Sequence, residues 1–440
     1  MPLSLNTFTR VLIAAIAAFA LTAAALLLLR SGEPTTVGTA AATSFPEQPR
    51  PGASTDERIA SYDAIVKARP RVAAGYTLLA AAYGQKARDT ADRAFRVRAE
   101  AVIGRGLRFA PTDPGLLTER GALAMSNHDF RAGLLDARAV TAADPTLRKP
   151  YGVLVDALVE LGRYDDAARA LQRMVDNGPG LAAYTRASYF AELQGDIPGA
   201  REALELAASA GGDSAENVAY VQTLLGNLEF GDGELDAARR AYQQALARFP
   251  GYAGARIGLA KLDLARGRTD AAIREMRSVV KTAPIGEYLA ALGDAELTAG
   301  RSEAARRVYS LVNEQHRQEL AAGLNPDAGL VLFEADHGDK ARALQLGRRT
   351  WRAAPSVSSA HALSWALTRA GRADEGLTWA KRSLKLGSRD AVFLYHAGLT
   401  ARAAGRPGLA RRWLTAALAA NPKFSPLHGP RAERALKALT

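Results

Sequence analysis

Cysteine is absent from this 440-residue chain, and histidine occurs only six times. The first absence excludes a disulfide framework, a thiolate nucleophile, iron–sulfur clusters, Cys-ligated zinc and a lipidated N-terminal Cys. The second leaves no clustered set of imidazoles along the chain. Also missing are the phosphate-cradling G-x-x-x-x-G-K-[ST] loop, H-E-x-x-H, G-x-S-x-G and a G-x-G-x-x-G that follows a strand. Two acidic stretches invite a cation on first inspection. GDGELDAA (231–238) lacks the twelve-residue ligand spacing of a calcium loop, and DHGD (336–339) reads as a turn. The expectation is a non-enzymatic protein with no catalytic residue, no cofactor and no metal.

Long apolar runs are also missing, with one exception. Residues 11–29 (VLIAAIAAFALTAAALLLL) carry no charge and are bracketed by Arg10 and Arg30. As a helix they span roughly 28 Å, close to the ~30 Å hydrocarbon core of a bilayer. A cleaved signal usually has an apolar region of about 7–15 residues, so this one is long. The reading is an N-terminal flank (1–10), a single-pass transmembrane signal anchor (11–29) and a disordered linker (30–53) rich in Pro, Thr, Ala and Gly. Arg10 and the amino terminus favour an N-in orientation, which puts the rest of the chain outside the cell membrane. The alternative is a cleaved signal and a secreted protein.

What is abundant is alanine, roughly one residue in five, a strong helix former with almost no bulk. Self-comparison shows where it is needed. Glycines recur at Gly162, Gly195, Gly233, Gly267, Gly300, Gly338, Gly371 and Gly405. Five positions after each stands a small residue: Ala167, Ala200, Ala238, Ala272, Ala305, Ala343, Gly376 and Ala410. An earlier unit has His128 in the glycine position and Gly133 in the small one. A glycine that ends one helix in the left-handed conformation lets the chain reverse into a second, and the small residue lets the two approach closely. Seventeen residues after this mark a proline often closes the second helix: Pro145, Pro179, Pro250, Pro284, Pro355 and Pro422. Most spacings are 33 or 34 residues; two of 38 fall near 208–218 and 313–326 and predict a lengthened helix or loop.

The segments LGRYDDAARALQRMVDNGP (161–179) and LGNLEFGDGELDAARRAYQQALARFP (225–250) carry the pattern most fully. Here the sequence resembles the tetratricopeptide repeat family in its membrane-anchored bacterial form. The resemblance implies an all-α, right-handed superhelical solenoid of helix–turn–helix units: a leading helix and degenerate repeat over 54–111, nine repeats over 112–424, and a C-terminal capping helix over 425–440. The degenerate unit looks interrupted around Lys86 to Thr90.

The resemblance also implies that first helices line a concave groove. Counting back from each glycine gives the groove candidates Arg186, Tyr189, Tyr220, Asn227, Lys261, His361, Trp365, Tyr395 and Arg402, side chains of the kind that dominate binding hot spots. His361 and His396 occupy similar places in adjacent first helices and are expected to approach each other. Arg186 and Asn227 stand without the other members of the family's carboxylate clamp. Charge adds a second clue. Of the formal +12, residues 301–440 carry 23 basic and 11 acidic groups, and all four Trp lie there. Trp379 and Trp413, 34 residues apart, are expected on one face beside Lys381, Arg382, Arg411 and Arg412, a basic surface suited to anionic polymer or lipid head groups. The expected function is a membrane-tethered scaffold that binds proteins or extended peptides; binding of anionic polymer is the alternative, and nucleic acid is disfavoured.

Overall fold

The computed structural model describes residues 49–50, 53–90, 92–212 and 214–439. The expected flank and anchor, and nearly all of the expected linker, lie outside the described residues. Among those described, no helix is long and apolar enough to cross a membrane.

The described residues form twenty-two helices and no strand. α1 (Thr55–Ala68) precedes a leading pair, α2 (Ala73–Thr90) and α3 (Arg93–Leu107). Nine pairs follow: α4 (Pro114–Ser126) with α5 (Phe130–Ala143), α6 (Lys149–Glu160) with α7 (Tyr164–Asp176), and α8 (Leu181–Leu193) with α9 (Ile197–Ala210). The middle three are α10 (Ala215–Gly231) with α11 (Leu235–Arg248), α12 (Ala253–Ala265) with α13 (Thr269–Thr282), and α14 (Gly286–Thr298) with α15 (Ser302–Ala321). The last three are α16 (Ala328–His337) with α17 (Lys340–Ala353), α18 (Val357–Arg369) with α19 (Ala373–Ser383), and α20 (Ala391–Ala403) with α21 (Pro407–Ala420). α22 (His428–Lys437) covers the end. The expected interruption near Lys86 is instead helix, because α2 continues unbroken to Thr90.

Local chemistry explains the boundaries. Asp or Ser side chains cap many N-termini, as Asp113 does by accepting from Leu116 N and Ser356 by accepting from Ser359 N. Each of the six prolines lies two or three residues beyond a second helix, where it cannot disturb the ladder. Seven of the eight glycines adopt positive φ, and His128 does so too, at 56°. Gly338 does not: its φ is −120°. It is glycine for room, since a Cβ there would lie 2.1 Å from Glu334 Oε2.

The small residues five positions on are all buried. They sit where second helix meets first, and apolar side chains at helical spacing fill the remainder, as Leu171, Met174 and Val175 do in α7. A second close approach recurs in the middle of the array. A Cβ on Gly226 or Gly258 would lie 2.4 Å from the Tyr242 ring, and one on Gly293 would lie 2.2 Å from Tyr309. Each tyrosine passes between helices and donates its hydroxyl to the first helix, to Asn227 Oδ1 at 2.8 Å and to Asp294 Oδ1 at 2.6 Å.

First helices of neighbouring units pack on one another through much of the array, whereas among the described residues second helices of neighbouring units show no comparable packing. That asymmetry curves the stack with first helices on the inside. The two 38-residue spacings are taken up by helix: α10 has 17 residues and α15 has 20.

The coil closes on itself. Turns of the first units meet loops about 190 residues later, six units along. The Tyr164 hydroxyl accepts from Val357 N at 2.8 Å, and Asn421 Nδ2 donates to Phe230 O at 2.6 Å. Asn325 Nδ2 donates to His128 O at 3.2 Å, and the His128 ring Nδ1 lies 3.0 Å from Asn325 O. Arg131 donates to Arg352 O at 3.0 Å. Gly162 and Gly195 are pressed so closely that an added Cβ would lie 2.4 Å from Pro355 O and 2.3 Å from Gly387 O. The ends of α4, α6 and α8 thus abut the starts of α16, α18 and α20.

Candidate binding pocket on the concave face

The first helices of the last units and the capping helix enclose a pocket of about 510 Å³. Helical spacing aims each wall. Trp365 and Arg369 are four apart on α18, and Tyr395, Leu399 and Arg402 follow i, i+4, i+7 on α20. Arg431, Arg434, Ala435 and Ala438 follow i, i+3, i+4, i+7 from α22 to the residue after it. Asp336 closes the side formed by α16.

The floor is held by aromatic packing and hydrogen bonds. Trp365 and Tyr395 are buried except at the edges that reach the pocket. Trp365 Nε1 donates to Asp336 Oδ1 at 3.0 Å, and the Arg369 guanidinium lies 5.7 Å from the Trp365 ring centre. Arg369 Nε also donates to Ala335 O at 3.0 Å. Burial pushes the Tyr395 hydroxyl up to about 12, so it stays protonated; Arg431, bonded to it, acts in the opposite sense. Among the described residues no carboxylate lies within ion-pairing distance of Arg369, Arg402, Arg431 or Arg434. Four guanidinium groups against the one carboxylate of Asp336 leave a formal +3 around a cavity with two aromatic edges. Such a site attracts an anion, and guanidinium forks can grip a carboxylate or phosphate with two parallel bonds. The volume falls in the ordinary range of ligand sites.

Of the groove candidates, Trp365, Tyr395 and Arg402 come together here. His361 does not line the groove: it is buried behind, with its ring stacked on Phe393 at 3.9 Å and Nε2 2.8 Å from His396 Nδ1. The two histidines do meet, in the packing rather than on the surface, and burial pushes the His361 imidazole down to about 3. Arg186 is occupied by Asp156 at 2.7 and 2.8 Å and by the carbonyls of Gly152 and Ala182, which ties α8 to α6. Asn227 receives the Tyr242 hydroxyl, and Lys261 pairs with Glu287 at 3.2 Å. Tyr189 and Tyr220 keep 43% and 41% of their surface exposed. On the outer surface Lys381, Arg382, Arg411 and Arg412 are exposed. Trp379 stacks edge-on with Trp351 at 4.6 Å under the Arg382 guanidinium, while Trp413 is buried in the terminal core. Arg369, Arg431 and Arg434 were missed because α22 has no equivalent among the repeats and Arg369 reads as an ordinary helix-end residue.

Models of the tetratricopeptide repeat family match residues 153–215 and 229–293, so the chain carries such repeats there, within an all-helical solenoid of the same kind. Among curated proteins, cellulose synthase operon protein C of Escherichia coli (strain K12) is 30% identical over 167 residues. That alignment spans 36% of this chain and 14% of the relative's length. The putative cellulose synthase operon protein C of E. coli O157:H7 matches over the same extent. Solved structures to which the chain is similar include the APC/C hetero-tetramer Cut9–Hcn1, at 13% identity and TM-score 0.38 over 88% of this chain and 93% of that one. The thermophilic protein TTC0263 of Thermus thermophilus gives 19% identity and TM-score 0.39 over 43% and 98%, respectively. The human IFIT1 dimer with PPP-AAAA gives 14% identity and TM-score 0.45 over 75% and 78%. At these scores the likeness carries no argument.

Proposed function

We propose that the protein is a non-enzymatic scaffold, tethered to the cell membrane by residues 11–29, whose concave face binds an acidic extended segment of a partner protein. The observation that carries this reading is the pocket itself: four Arg and the edges of Trp365 and Tyr395, on the side of the array where first helices face inward. An acidic side chain entering it exchanges water for paired guanidinium donors, and the aromatic edges add apolar contact. The tetratricopeptide repeats support a protein partner. The partial relative's place in a cellulose synthase operon supports a partner in envelope polysaccharide assembly.

The test is in-cell photocrosslinking from Leu399, inside the pocket, with identification of the captured protein. Arg402→Glu combined with Arg434→Glu should abolish capture while helical content stays unchanged. Unchanged capture would mean that the pocket is not the site.

A second reading is supported by the outer surface, where Arg382 lies over Trp351 and Trp379 beside Lys381. There the ligand is an anionic polymer or lipid head group. Its binding should collapse as ionic strength rises past the point where the screening length falls below about 8 Å, and should vanish in Lys381→Glu with Arg382→Glu. The pocket variants would leave it unaltered.

A further inference from the structure

Beside the pocket, and sharing Asp336 with its wall, three elements bring together a carboxylate and two imidazoles. Asp336 lies in the last turn of α16, His396 in α20 and His428 at the start of α22. One ligand atom from each lies within 4.8 Å of the other two. Asp336 Oδ2 and His428 Nε2 are 3.7 Å apart, too far for a hydrogen bond. One ion could touch both at the roughly 2.0–2.2 Å usual for zinc with nitrogen and oxygen ligands. Both imidazoles are buried, and His396 Nε2, the nitrogen offered to the cluster, is shut from solvent with no hydrogen-bond partner. A closed-off, unsatisfied polar atom is costly, and one that faces a second imidazole and a carboxylate calls for a ligand.

We propose that Asp336, His396 and His428 bind a divalent cation of the zinc class. Two imidazoles and one carboxylate form a borderline donor set, which suits Zn²⁺, Co²⁺ and Ni²⁺ better than the all-oxygen cations. The surroundings hold each ligand ready. Trp365 engages Asp336 Oδ1 and leaves Oδ2 available. His361 faces His396 Nδ1, which fixes the ring and leaves Nε2 as the remaining nitrogen. Trp365 stacks on the same ring, with 4.1 Å between centres and 12° between planes. Burial also disfavours protonation of both imidazoles, so their lone pairs stay available. Tetrahedral ligands stand about 3.3–3.5 Å apart, so binding requires the three groups to close by roughly 1 Å.

The ion would join the seventh unit, the ninth and the capping helix. It would therefore fasten the cap, which is otherwise anchored by apolar packing and a few hydrogen bonds. Three protein ligands leave room for a water, or for a carboxylate of whatever occupies the neighbouring pocket. The proposal does not depend on the partner reading, which uses the Arg side chains; either can fail alone.

The experiment takes the full-length chain, purified in detergent without a polyhistidine tag, stripped with chelator and titrated with Co²⁺. The expected result is one Co²⁺ per chain, with visible d–d absorption that Zn²⁺ displaces, and slower amide exchange in α22 on metal addition. Asp336→Asn keeps the Trp365 hydrogen bond and should weaken Co²⁺ at least 100-fold. His428→Gln should do the same, and His361→Gln, which alters only the supporting partner, should cost about 10–100-fold. If His396→Ala fails to fold, Asp336→Asn and His428→Gln decide, with circular dichroism confirming their helical content. No stoichiometric binding by the unaltered chain, or binding unchanged in those two folded variants, would overturn the proposal.

Discussion

The repeat glycines at positive φ fall into two groups that the sequence does not distinguish. Gly162, Gly195 and Gly233 each carry a backbone carbonyl of the opposing coil at the place a Cβ would occupy, 2.3 to 2.8 Å away. Gly267, Gly300, Gly371 and Gly405 have the same positive φ and open space around them. In the second group glycine serves only the turn. In the first it serves the turn and a seam between successive coils, and there the cost of substitution includes two backbones that cannot part without opening the molecule. The same residue at the same repeat position therefore acts at two levels of structure.

The sharpest test compares alanine at the two groups. Left-handed backbone costs a residue with a Cβ roughly 1–2 kcal/mol, and that is the full effect expected at Gly267 or Gly405. At Gly162 or Gly195 the overlap with a carbonyl should raise the loss to about 3 kcal/mol or more. Urea denaturation measures the difference, and small-angle scattering should show a larger radius of gyration for the seam variants alone. Equal losses at both groups would remove the seam from the account.

Next in size is Tyr164→Phe, which leaves the buried Val357 N–H without its acceptor and should cost about 1–3 kcal/mol. Amide exchange should quicken at the start of α18, 193 residues away in sequence.

The seam also holds acids. Burial, reinforced by the charge of Asp390, pushes the Glu192 carboxyl up to about 7, opposed by the neighbouring Ser188 hydroxyl. A carboxyl whose pKa rises on folding stabilises the fold in its protonated form. That contribution is complete below the ordinary value of 4.5 and is lost as pH climbs through about 7. Between pH 5 and 8 the protein should lose on the order of 1–2 kcal/mol that Glu192→Gln retains. Parallel melting curves for the two proteins across that range would refute this.

The smallest effect is expected at His128→Gly. It forfeits a ring contact with Asn325 worth about 1 kcal/mol and relieves a left-handed non-glycine residue costing about the same. Melting should shift little while amide exchange in the loop around Asn325 rises modestly.

Much of the fold was legible because its causes are local. Helix ends follow from capping Asp and Ser, from glycine at positive φ and from proline just beyond, all within a few residues of what they control. The lengthened α10 and α15 were visible as two 38-residue spacings. Gly338 shows the limit, since the reason for it is the carboxylate of Glu334 and not the turn. The pocket was legible in part. Trp365, Tyr395 and Arg402 follow the repeat, whereas Arg431 and Arg434 come from a cap that repeats nothing. Arg186 and Lys261 have the chemistry of binding residues and are engaged in ion pairs, which only the positions of Asp156 and Glu287 reveal.

By itself the sequence determined the unit: two helices, a reversal at a fixed glycine (His128 in the first unit) and a small residue at their crossing, repeated nine times. It could do so because each of these choices involves side chains one or two helical turns apart. Only the tertiary structure decided that the coil closes, that the Tyr164 hydroxyl meets Val357, and that Asp336, His396 and His428 converge. Small rotations between units accumulate over six of them before one coil touches the next. Slight differences in packing at every crossing settle where they touch, and no single residue carries that sum.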